Sequence, residues 1–216
     1  MSPYWPVPYI PDPRYFALDA FVSFCIAVLL AVLVNAEGQA FMAALLGDRR
    51  VGAKDRFHFI AFLHLDILGT ITYLVGGFGW ARPMDIEPSR FPHPRLYTLI
   101  ARLGGPAANL LLANIAASVV HLLRGIEVDA KVFAMVAAVN LTTAVYNLVP
   151  LPPLFAGTVL ATWLETQSPG LARGITLAGP YLALALTLLD RLHPLPFFRP
   201  WLDPLVLEIF RFTCGS

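Results

Sequence analysis

The sequence predicts an all-α integral membrane protein, a helical bundle of about five transmembrane segments (four to six) with one broken helix. Three observations predict it. The chain has 216 residues, of which 57% are hydrophobic and only 13% charged, against about 25% charged in an ordinary soluble domain. The apolar residues fall into long blocks, Phe16 to Val34, Phe59 to Trp80, Leu99 to Leu123, Val132 to Leu164 and Leu171 to Leu189. Each block is near or above the roughly 20 residues a helix needs to cross a hydrocarbon core. Prolines at 150, 152 and 153 then interrupt the fourth block, which is longer than one span requires.

The elements follow in order. Met1 to Arg14 carries five prolines, which remove backbone donors and favour extended chain, so residues 1–15 form a non-helical lead-in. Its Tyr4, Trp5, Tyr9 and Tyr15, with Phe16, suit a headgroup layer. A long helix is expected over Phe16 to Leu46, stopped by Gly47-Asp48 and followed by Arg49, Arg50, Lys54 and Arg56. The second block contains His64 and Asp66 and is weakened as a helix by Gly69, Gly76, Gly77 and Gly79; it either crosses or re-enters. Ala81 to Pro94 is a Pro-rich connection, Leu96 to Arg124 a span bearing Gly104-Gly105-Pro106, and Gly125 to Lys131 a polar turn. The broken fourth block should face the interior, because freed carbonyls at membrane depth need protein or water partners. Leu171 to Leu192 is the last span of a transmembrane domain over residues 16–192, and in the tail, residues 193–216, Pro200 to Phe212 reads as an amphipathic interfacial helix. If all five blocks cross, Lys and Arg gather on the side of Arg49 to Arg56, which places that side in the cytoplasm and the N-terminus outside.

Composition also excludes classes. A net charge of +1 gives no electrostatic case for nucleic acid. Cys25 and Cys214 are too far apart to resemble a zinc ribbon or a disulfide framework. Met1 to Pro13 lacks the basic region of a cleavable signal, so the first span is expected to persist in the mature protein.

Five stretches carry a family resemblance. Asn35-Ala36-Glu37-Gly38-Gln39-Ala40, continuing to Gly47-Asp48, resembles an H-E-x-x-H-A helix closed by G-D. His64-Leu65-Asp66-Ile67-Leu68-Gly69-Thr70 and Gly79-Trp80-Ala81-Arg82-Pro83 look like H-x-D-x-x-G-T and G-W-A-(K/R)-P, and Gly105-Pro106-Ala107-Ala108-Asn109 like G-P-x-x-N. Asn147-Leu148-Val149-Pro150-Leu151-Pro152-Pro153-Leu154-Phe155-Ala156-Gly157 looks like N-L-x-P-x-P-P-L-D-G. In this order, on spans, they resemble the site-2 protease family of intramembrane zinc metalloproteases over roughly residues 16 to 165. The resemblance implies a site-2 protease-like core.

The departures fall on the chemistry. By the resemblance, Asn35 and Gln39 stand at the two zinc-histidine positions, Ala36 at the general base, and Phe155 at the aspartate ligand. A catalytic zinc needs about three imidazole, carboxylate or thiolate donors and an open position. Amides are poor zinc ligands and a benzyl ring has no donor. Without the metal, the pKa of water is not lowered towards about 7, and no carboxylate stands by to take its proton. The expected catalytic residues, metal ligands and cofactors are therefore none.

Other polar residues are weighed individually. Glu37 is turned by about 100° from the base position, where it either replaces the base or pairs with a neighbour in a polar pocket. His64 and Asp66, with His58, are either displaced metal ligands or hydrogen-bonding groups inside the bundle; their i, i+2 spacing suits two ligands on one helix poorly. In the family the asparagines at the positions of Asn109 and Asn147 help to hold a substrate strand, and the alternative is that they satisfy freed backbone carbonyls. Glu37, Asn109, Asn147, His64 and Asp66 are thus the candidates for a substrate or partner groove. Gly104-Gly105-Pro106 reads as a packing element, His93 and His121 as loop or interfacial residues, and Ser168, Thr142 and Thr143 lack a motif partner as nucleophiles.

The function expected is that of a catalytically inactive site-2 protease homologue, a non-catalytic subunit, scaffold or regulator of a larger membrane complex. Partners would be other integral membrane proteins, with subunits of a respiratory or photosynthetic complex as one option, and lipids, in a bacterial inner membrane. Two alternatives come from other classes. One is a metalloprotease with a relocated metal site on Glu37, His58, His64 and Asp66. The other is a small transporter or channel with Asn35, Glu37, Gln39 and Asp66 along its path.

Overall fold

A computed structural model describes residues 5–48, 59–192 and 197–215. Among these residues the chain is all helical: α1 (Leu18–Leu46), α2 (Ile67–Gly76), α3 (Pro94–Gly125), α4 (Lys131–Tyr146), α5 (Phe155–Gln167), α6 (Pro169–Leu192) and α7 (Arg199–Cys214). Three of them, α1, α3 and α6, are long and apolar enough to cross a membrane. Their outward faces stay apolar, with Leu111 63% and Leu177 65% exposed, as a surface solvated by lipid requires. Residues 49–58, with Arg49, Arg50, Lys54, Arg56 and His58, and residues 193–196 lie outside the described residues, as does Tyr4.

The centre of the molecule is α1, α3 and α4. Small residues let the first two approach: Ala27, Ala31, Ala36, Ala40 and Ala43 of α1 and Ala101 of α3 are fully buried. The closest approach is Gly38 against Gly104, where a Cβ on either residue would stand 2.5 Å from the other's carbonyl oxygen. This is small-residue helix packing of the kind favoured where no hydrophobic force separates helix from lipid. α4 fills the interior, and every residue from Ala134 to Asn147 is buried, so the first half of the broken block faces inward, whereas Leu148, Pro150 and Trp163 beyond it are exposed.

The second apolar block is a hairpin and not a span. Its only α-helix, α2, has 10 residues and reaches about 15 Å, half of a hydrocarbon core of about 30 Å. Leu65 pairs with Ala81 in an isolated antiparallel bridge, and Arg82 N–H donates to the His64 carbonyl at 2.7 Å. The two ends therefore lie side by side, and the chain leaves where it entered. Asp66 starts α2 by accepting from Gly69 N–H, and Gly77, at φ 78°, ends it in the left-handed conformation that glycine adopts without a Cβ penalty. The expected orientation assumed five crossings, and with the second block a hairpin that count no longer applies.

The remaining elements close around this core. α5 and α6 form a helical pair, α6 lies on α2 through Thr187 against Gly76, and Arg191 donates to the carbonyls of Val75 and Pro11. In the lead-in, Tyr9 packs on Phe24 at 5.2 Å between ring centroids, whereas Tyr15 and Phe16 are exposed. The tail helix α7 buries Val206, Phe210 and Cys214 and leaves Trp201 and Phe212 exposed. It is pinned by Arg124, which donates to the carbonyls of Cys214 and Gly215, and by the Tyr146 hydroxyl, which donates to Asp203. His121 contacts the Thr213 carbonyl at 2.8 Å, which gives that histidine a place in the α7 dock. Burial pushes the Cys214 thiol pKa up, which suits a packing role.

The Gly38–Gly104 contact makes a controlled prediction. Gly104→Ala should destabilise the protein by roughly 1–3 kcal/mol through overpacking, read as a lower thermal midpoint in detergent. Gly174→Ala, where nothing lies within 4 Å of the added Cβ, should stay within about 0.5 kcal/mol of the parent.

Candidate functional site at the centre of the bundle

One chain of hydrogen bonds crosses α1, α3 and α4. Arg102 Nη1 donates to Gln39 Oε1 at 2.8 Å, Gln39 Nε2 to Asn35 Oδ1 at 2.9 Å, and Asn35 Nδ2 to Asn109 Oδ1 at 2.6 Å. Asn109 Nδ2 then donates to the Ala31 carbonyl and to Asn140 Oδ1, both at 2.9 Å, and Asn140 Nδ2 donates to the Val136 carbonyl at 2.9 Å. Amide oxygen and nitrogen are hard to tell apart by shape alone. Here chemistry assigns every one of them. A guanidinium can only donate and a backbone carbonyl can only accept, so the two ends force each intervening amide to turn its oxygen toward Arg102 and its nitrogen toward the core.

The local sequence explains the arrangement. Asn35 and Gln39 are four residues apart and so stand one above the other on α1. Gly105 on α3 makes room for Asn35, whose Oδ1 would lie 2.7 Å from a Cβ at that position. Asn109 is one turn further along the same helix, fully buried, and is the junction of all three helices.

The two ends of the helix break are also closed by an amide. Asn147 Nδ2 donates to the Thr143 carbonyl at 2.8 Å at the end of α4. Its Oδ1 accepts from Phe155 N–H at 3.0 Å at the start of α5, and its own carbonyl accepts from Ala156 N–H. One side chain thus adds a second hydrogen bond to a carbonyl in the last turn of α4, which already accepts from Asn147 N–H, and satisfies an orphan N–H at the start of α5. The prolines between them are clamped, since a Cβ on Gly157 would clash with Leu151 and one on Gly179 with the Pro152 carbonyl.

A cavity of about 320 Å³ opens beside this chain. Asn35, Gln39, Arg102, Asn147 and Phe155 line it, with Trp80, Pro83, Pro106, Pro152, Pro153, Thr158, Thr162, Thr176, Pro180 and Glu165. Three of the four residues at the positions discussed for zinc and base, Asn35, Gln39 and Phe155, therefore meet at one cavity, although 116 positions separate Gln39 from Phe155 in the chain. The fourth, Ala36, is fully buried and is not part of the cavity wall.

The other candidates divide. Asn147 lines the cavity, and Asn109 sits beneath it in the amide chain. Glu37 points elsewhere: its Oε1 accepts from Phe59 N–H at 3.1 Å and lies 3.5 Å from His64 Nε2, and among the described residues its Oε2 has no hydrogen-bond partner. Asp66 Oδ1 accepts from Gly69 N–H at 2.8 Å and from Trp80 Nε1 at 2.9 Å. His64 and Asp66 do not come together as a ligand pair, and among the described residues no three His, Cys, Asp or Glu side chains converge. Nor do Asn35, Glu37, Gln39 and Asp66 share one path, since Glu37 and Asp66 lie off the cavity.

The Asp66–Trp80 bond has a further meaning. Gly69 and Gly79 meet face to face, each leaving no room for a Cβ against Trp80 or Tyr73. The His64–Thr70 and Gly79–Pro83 stretches are therefore the two halves of one dock, which brings Trp80 to the cavity.

Sequence reasoning missed Arg102 and Asn140. The signal was present: both are polar groups inside apolar blocks, which at membrane depth is costly unless the group is partnered or used.

No protein-family model matches the chain, and no solved structure matches it. Over 176 residues, 77% of its length, it is 30% identical to the "Putative zinc metalloprotease YwhC" of Bacillus subtilis (strain 168), 79% of which is covered. The chain therefore belongs to the metalloprotease-like family that this Bacillus protein represents.

Proposed function

We propose that the chain is a non-hydrolytic member of this family, a multi-pass protein of a bacterial inner membrane that serves other integral membrane proteins as a subunit or regulator. The observation that carries the reading is the amide chain. The relative's name implies a zinc centre, so the donor set is what decides. Asn35 and Gln39 offer neutral amides whose oxygens are already taken by Gln39 and Arg102, and Phe155 offers carbon only. These residues do not fit a zinc ion, which takes histidine, cysteine or carboxylate donors. Ala36 offers no proton acceptor, and Glu37 is turned toward Phe59 and His64, away from the cavity. A family resemblance transmits the fold and not the activity, which belongs to the site.

The same chain supports a binding role. A buried polar network that is fully satisfied rigidifies its surroundings, and here it holds three helices in register beneath an open cavity. With its apolar outer surface, the bundle offers membrane partners a fixed shape. Respiratory or photosynthetic assemblies are the kind of complex in which such a subunit would sit.

Two measurements test this reading. Asn109→Ala removes the junction and leaves Asn35, Asn140 and the Ala31 carbonyl short of partners, so it should cost roughly 1–3 kcal/mol, seen as a lowered thermal midpoint with the oligomeric state unchanged. Elemental analysis of the purified wild-type protein should give no stoichiometric zinc, and the quadruple variant Asn35→His, Ala36→Glu, Gln39→His, Phe155→Asp should acquire it. Chelator-sensitive cleavage of a membrane-embedded substrate by the wild-type chain would refute the reading outright.

A further inference from the structure

We propose that the cavity is a binding site for a small organic monoanion, an oxyanion group joined to an apolar body, with Arg102 as its anchor. This rests on the reading of the site as a binding site and not a hydrolytic one. Arg102 lies in α3, eight residues after its first residue, Pro94, within an apolar helix long enough to span a membrane. An arginine there is expensive unless it is paired or used.

Its partners leave most of it unused. A guanidinium has five N–H donors in a planar fork, and the hydrogen bond Arg102 makes is the one from Nη1 to the neutral Gln39 oxygen. No carboxylate lies within ion-pair distance of it among the described residues; Asp85 acts on it only from further away. The amide chain compounds the effect. Because its bonds run from Arg102 toward Ala31 and Val136, the Asn35 and Gln39 oxygens are spent on the chain. Among the described residues, therefore, no carboxylate pairs directly with Arg102, and Asp85 acts on it only from a distance.

The rest of the wall describes the other end of the ligand. Trp80, Phe155, Pro106, Pro152 and Pro180 give it apolar surfaces, and a cavity of about 320 Å³ is at the lower end of the range of about 300–1,000 Å³ used for small-molecule sites. Glu165 also lines the cavity and is exposed, so it stands at the rim and opposes a second negative charge. The site therefore selects monoanions over dianions. A carboxylate or a phosphate diester supplies the group equally well, because both are monoanions that accept two parallel N–H bonds from arginine. A free acid or the headgroup of an anionic lipid can bring it.

The test uses the full-length protein in phosphatidylcholine nanodiscs, with benzoate as probe and the tryptophan fluorescence and thermal midpoint as readouts. Benzoate should bind saturably and raise the midpoint, while benzamide, of the same shape without the charge, and phthalate, a dianion, should bind at least about tenfold more weakly. Arg102→Gln should lose about tenfold or more in benzoate affinity, and Arg102→Lys should keep part of it. Because Arg102→Gln also touches the amide chain, Glu165→Gln provides a variant outside it, expected to tighten benzoate about two- to threefold and to admit phthalate. Replacing part of the lipid by phosphatidylglycerol assigns the source: competition with benzoate points to a lipid headgroup, and its absence to a free acid. The proposal is overturned if benzoate shows no saturable effect on the folded protein, if benzamide binds as well, or if Glu165→Gln weakens benzoate. Cleavage activity is scored in the same preparation, so failure of the non-hydrolytic reading shows itself separately from failure to bind anions.

Discussion

Three helices are tied together by a single directional run of hydrogen bonds, from a guanidinium at one end to two backbone carbonyls at the other. Its direction is not a matter of choice for any amide in it, because the ends can only donate or only accept. Reversing one amide would leave a donor facing a donor on one side and an acceptor facing an acceptor on the other, which in a low-dielectric interior costs more than the bond itself. The register of α1 against α3, and of α3 against α4, is thus specified by Asn35, Asn109 and Asn140 together. Hydrophobic packing alone specifies it poorly in a bundle whose outer surface is as apolar as its core.

Close backbone approach makes that run attainable. Asn35 can reach Asn109 only because Gly38 and Gly104 let α1 and α3 nearly touch and Gly105 leaves space for the Asn35 amide. The same logic governs the hairpin. Gly69 and Gly79 admit Trp80, Asp66 fixes it, and the short α2 fits beside Phe24 and Thr143 without needing to cross. Elements that look like separate motifs along the chain are contact pairs in space.

What distinguishes the cavity is that its polar wall is internally consumed while its cation is not. Asn35, Gln39 and Asn147 spend their oxygens on partners within the protein. Arg102 keeps donors in reserve.

Much of this was legible in the sequence. Helical class, lipid-facing surface, the interior position of the first half of the broken block and the glycine packing element all follow from block length, proline placement and residue size, which act locally or along one helix. The resemblance also named Asn35, Gln39 and Phe155 as one constellation, and they do meet at one cavity. Arg102 and Asn140 escaped notice because their meaning lies in a partner 63 or 31 residues away. The second block stayed ambiguous because about 20 apolar residues satisfy the length rule for a span whether or not they form one helix. Its ends were joined by the Leu65–Ala81 bridge, an event no window along the chain can register. By itself, then, the sequence determined that this is a helical chain suited to a membrane and that two amides and a benzyl ring stand at Asn35, Gln39 and Phe155, since both depend on residue identity. Tertiary structure alone decided that the replacing amides close on one another and leave one arginine charged and open, because a hydrogen bond exists only where two distant groups are brought into line.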